Sequence, residues 1–101
     1  MSGNRDKLLA EKARIETEIA DLEAARRLLG AAIGELAHDG RRLTDALERV
    51  GWQSFDLEAR KNTVSRNQSM NERELEEKIQ ELETARRRLA EIDALLDGLD
   101  D

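Results

Sequence analysis

The sequence predicts an all-α protein, an antiparallel two-helix hairpin of coiled-coil character. Three observations predict it: a composition free of helix breakers, an unbroken heptad stripe, and a second stripe that aligns with the first in reverse. Of 101 residues, 40% are charged, none is proline or cysteine, and Trp52 and Phe55 are the only aromatics. Ala, Glu, Leu and Arg without proline favour long helices. Two aromatics are too few for a thick globular core, so apolar surface must be buried along a helix–helix seam. The length fits a single domain, residues 1–101.

The first helix is expected over residues 4–50. Leu8, Ile15, Leu22, Leu29, Leu36, Leu43 and Val50 recur at heptad spacing, with Ile19, Ile33 and Leu47 in the companion phase. Lys12, Arg26 and Gly40 interrupt that companion phase. Asn4 is a candidate N-cap. His38-Asp39-Gly40 is a stop signal, so the pattern also allows a break near residue 40.

A turn follows at 51–54, where Gly51 offers a helix stop and Ser54 or Asp56 a restart. The second helix is expected over 55–99. Leu75, Leu82, Leu89 and Leu96 form its stripe, with Leu57, Val64, Ala85, Ile92 and Leu99 in the companion phase. Ser69 with Glu72 has the form of a capping box, which allows a second break near residue 68.

Reversed on each other, the stripes pair Leu8 with Leu96, Ile15 with Leu89, Leu22 with Leu82, Leu29 with Leu75 and Leu47 with Leu57. That register centres the turn on Trp52; a shift by one heptad also matches. It exposes an imbalance, because Ile33 then faces Asn71, Leu36 faces Gln68, and Leu43 faces Lys61. Unpaired leucines on a thin scaffold point to another chain. The reading is therefore a helical protein partner, in a homo- or hetero-oligomer, bound through Ile33, Leu36 and Leu43. The alternative is that the second helix bends and its side chains rearrange. Gly30 and Gly34 share a face that either admits a partner helix or is a flexible point. Trp52 and Phe55 lie a turn apart at the tip, as an aromatic plug or as an anchor for the partner.

Charge and motif content narrow the function. Net charge is −6. Residues 40–73 carry seven basic and five acidic groups, whereas 74–101 carry four and ten. Phosphate binding needs clustered cations, so nucleic acid is not expected. Arg86-Arg87-Arg88 is the densest basic run, and it reads as a solvated face braced by Glu83–Arg87 and Arg87–Glu91 pairs. No apolar leader or span is legible, which predicts no membrane partner and a cytoplasmic protein, or one secreted without a cleaved signal peptide. No nucleophile–base pair or phosphate loop is legible, so no enzyme and no cofactor are expected. Glu35 and the lone His38 have the Glu-x-x-His spacing of di-iron bundles. Glutamate is so common in this sequence that a solvent-facing histidine is the expectation, with no metal site.

An all-helical chain of this length with Trp52 at its central turn, no cysteine and no leader resembles the WXG100-type proteins of type VII secretion. It also resembles the small helical proteins that accompany LXG-type toxins. Trp52-Gln53-Ser54 stands where the family has Trp-x-Gly, and without tyrosine the family's Tyr-x-x-x-Asp/Glu tail is absent. The resemblance implies a helical companion, targeting partner or chaperone of a larger secreted protein. Two other classes share the architecture: a coiled-coil adaptor of an export or structural complex, and a di-iron hairpin oligomer.

Overall fold

A computed structural model describes residues 2–99, leaving Met1 and the acidic Asp100 and Asp101 outside the described residues. It is an all-α hairpin of two long helices, α1 (Ser2–Arg49) and α2 (Phe55–Leu99), with no strand among the described residues. Both run without interruption, so neither candidate break forms. At the first, the glycine is a seam residue: a Cβ on Gly40 would stand 3.7 Å from the Val64 side chain, in ordinary contact. Thr44 also donates to the Gly40 carbonyl at 2.9 Å within an intact helix. At the second, Gln68 donates to Glu72 at 3.3 Å, and the Ser69–Glu72 box is not used as a cap. Asn4 likewise lies inside α1, which already begins at Ser2.

The turn is specified locally. The Trp52 N–H donates to the Leu47 carbonyl at 2.8 Å and the Gly51 N–H to the Glu48 carbonyl at 3.2 Å. This pair of bonds is the Schellman arrangement, which requires a left-handed residue after the helix. Gly51 supplies it at φ 66°, and Trp52 follows at φ 62°, unusual for a residue with a Cβ. Ser54 then caps α2, its Oγ accepting from the Leu57 N–H at 3.2 Å. Asp56 and Glu58 sit in the first turn of α2, where carboxylates oppose the positive end of the helix dipole.

The hairpin comprises two compact units, Met1–Arg26 with Glu77–Asp101, and Arg27–Glu76. The first has the apolar core. Ile15, Ala85 and Ile92 form a buried cluster, with Leu8, Ile19, Leu89 and Leu96 packed against it, and Leu22 and Leu82 are buried too. Its helices are also clamped by charge. Arg88 donates to both oxygens of Glu11 at 2.8 and 3.1 Å and reaches Glu91 at 3.1 Å. Arg86 meets Glu23 at 2.9 Å and Lys12 meets Asp93 at 2.9 Å. Among the described residues the expected Glu83–Arg87 and Arg87–Glu91 pairs do not form: Arg88 braces α2 through Glu91, while Arg86 and Arg88 cross to α1, because their positions flank the seam. Lys12, an interruption of the stripe by sequence, is satisfied the same way.

The second unit is thinner. Leu47 is its only described buried side chain. Lys61, Gln68 and Asn71 occupy half-buried seam positions of α2, so the imbalance in the register is present in the fold. The Gly40–Val64 approach and the Lys12–Asp93 pair each match the register centred on Trp52 and exclude the heptad-shifted one.

Candidate helix-docking groove

Along one side of the second unit, α1 and α2 leave an open groove of about 690 Å³. Its floor is Leu43 and Ala46 from α1 with Ala59 and Val64 from α2. The two alanines come from facing positions of the helices, and their small side chains leave the groove open between them. Arg42 and Arg49, two turns apart on α1, rim it with Arg60 of α2, and Asp39 and Asp45 line it as well. Among the described residues none of those three arginines makes an ion pair or side-chain hydrogen bond, unlike Arg86 and Arg88 in the other unit. Asp39 also lines a smaller groove beyond, with Ala32, Leu36 and Met70 on its apolar side.

The residues singled out by sequence divide across this surface. Leu43 lies on the groove floor and Leu36 on its extension. Ile33 is half-buried in the seam and lines neither. Gly30 and Gly34 are exposed, and a Cβ on either would meet nothing within 4 Å. Phe55 is 90% exposed, so it does not plug the hairpin. Trp52 is half exposed, with the Lys61 ammonium 4.7 Å from its ring centroid, a cation–π distance. Lys61, opposite Leu43 by sequence, therefore carries its charge to the tip instead of into the seam. Sequence reasoning missed Ala46, Ala59 and the three arginines. The signal that could have found them was the basic excess of 40–73, once the register placed both flanks on one side.

Electrostatics elsewhere is ordinary for a surface. The hydrogen bond from Arg88 holds the Glu11 carboxyl below its usual range, and the bond to Asp93 holds the Lys12 ammonium above its own. Glu35 and His38 are both exposed on α1. Among the described residues no group of three or more His, Cys, Asp or Glu side chains could hold a metal ion. No described helix is long and apolar enough to cross a membrane.

The fold and groove define a helical hairpin with an open, apolar-floored groove in its second unit. The chain matches no known protein family, no characterised protein and no solved structure.

Proposed function

We propose that this protein is a non-enzymatic helix-binding module. It pairs through its second unit with a helical segment of a larger protein, which it stabilises or presents. The observation that carries this reading is the uneven seam. Ile33, Leu36 and Leu43 run opposite Asn71, Gln68 and Lys61, and an apolar-floored groove stays open beside them. Buried apolar area contributes roughly 25 cal/mol per Å², so three leucine-sized side chains could supply several kcal/mol before association costs. The resemblance to type VII secretion companions suggests a secreted effector as the larger protein, held in the cytoplasm before export. Trp52 and Phe55, exposed at the tip, offer a second point of contact.

Co-expression with neighbouring genes should yield a co-purifying helical partner. Its recovery should fall when Leu36, Leu43 or Trp52 is changed to alanine. If nothing co-purifies, and the chain instead carries stoichiometric iron that is lost on His38→Ala, the binding reading fails and the di-iron one replaces it.

A further inference from the structure

We infer that the occupant of the groove is an acidic amphipathic helix, a proposal that rests on the helix-binding reading and names the chemistry of its partner. Shape argues for a helix. The groove runs between two antiparallel helices, and Ala46 and Ala59 lower its floor where a third helix would approach most closely. Packed helices need axes about 8–10 Å apart, which small residues at the contact allow.

Charge argues for acidity. Arg42, Arg49 and Arg60 surround the apolar floor, and among the described residues no carboxylate pairs with them. In the other unit, by contrast, Arg86 meets Glu23 at 2.9 Å and Arg88 meets Glu11 at 2.8 Å. Asp39 and Asp45 also line the groove, so three cations against two anions leave its rim positive. A planar guanidinium suits a carboxylate, which it can grip through two hydrogen bonds. A helix with leucine or alanine on one face and glutamate or aspartate flanking it satisfies floor and rim together.

A second copy of the chain fits less well. Its acidic stretch, the end of α2, already turns Leu89, Ile92 and Leu96 onto its own core and leaves Leu95 and Leu99 exposed. Docking that end into another copy's groove would also be head-to-tail, an arrangement that need not close.

Two labelled peptides of about 15 residues, long enough to cover the groove at 1.5 Å per residue, test the inference. Both carry the same leucine–alanine stripe; one is flanked by glutamate and the other by lysine. Fluorescence anisotropy with the full chain should show the glutamate peptide binding at least about tenfold tighter, the sum of several modest exposed pairs, with the advantage shrinking as salt rises. Combined Arg42→Glu, Arg49→Glu and Arg60→Glu substitution should abolish or reverse that preference. Circular dichroism on this variant, and on its Arg→Gln counterpart, checks that the helices persist. Equal binding of the two peptides overturns the acidic occupant. The helix-binding reading still stands in that case if a co-purified partner is lost on Leu43→Gln but ignores the arginine changes. Sedimentation showing that the arginine variant abolishes self-association would assign the groove to a second copy and overturn the proposal. Failure of both peptides together with failure to recover any partner sinks both readings.

Discussion

Gly51 is the residue on which the hairpin turn depends. At φ 66° any Cβ is strained even though nothing crowds it, so Gly51→Ala should destabilise the chain by about 1 kcal/mol in urea denaturation. Gly30 and Gly34 are the opposite case. Both sit in mid-helix with open space around them, so alanine at each should stabilise by up to about 1 kcal/mol. If that open face receives a partner helix, the same double substitution should weaken the complex while strengthening the free chain. The Glu11–Arg88 pair makes a pH prediction. Its carboxyl is held below the ordinary 4.5, chiefly by the hydrogen bond from Arg88, so its ionised form belongs to the folded state. Its contribution is present above pH 4.5 and is lost as pH falls through the lower folded value. The urea midpoint of Glu11→Gln should therefore lie below that of the wild type at neutral pH and converge with it in acid. Exposure to solvent keeps the difference small.

At the scale of the helices, the two units should behave differently although the same helices build both. Among the described residues the unit of Arg27–Glu76 buries only Leu47, and Lys61, Gln68 and Asn71 hold half-buried positions along its seam, the Lys61 charge reaching out to Trp52. Its amides should exchange with deuterium faster than those around Ile15, Ala85 and Ile92, and equal protection would contradict the uneven seam. Gln68→Leu and Asn71→Leu should each raise stability by about 1 kcal/mol, by giving Leu36 and Ile33 apolar partners. Much of this was legible beforehand. Heptad spacing and Gly51 located both helices and the turn, with ends at Arg49 and Phe55 against an expected 50 and 55. The two suspected breaks were misleading because local stop signals compete with tertiary contact. Gly40 is small where the seam brings Val64 near, and α2 carries Ser69 through as an exposed mid-helix residue. Leu36 and Leu43, which line the grooves, were legible as seam residues without apolar partners because they lie on the stripe. The arginine rim was not, since Arg42, Arg49 and Arg60 flank the stripe and share a side only once the rotation of both helices is fixed.

For the whole chain, the proposed helix binding implies a protein that gains stability from its partner. Six described side chains are buried in all, Ile15, Leu22, Leu47, Leu82, Ala85 and Ile92. Thin helical scaffolds with so little core are marginal alone, because helix formation must be supported mostly by tertiary packing. A ligand that binds only the folded state adds stability by mass action, about 2.7 kcal/mol when present at a hundred times its dissociation constant. The free chain should therefore melt at a modest temperature by circular dichroism, and its Tm should climb as a groove-binding helix is titrated in. Leu36→Gln with Leu43→Gln should leave the helix content of the Ile15–Ala85–Ile92 unit in place while flattening that climb. A free chain that is already highly stable, with a Tm indifferent to every helix that binds it, would leave the open seam without a role. A climb that survives both glutamines would place the partner elsewhere, with the exposed Trp52–Phe55 tip the next surface to probe.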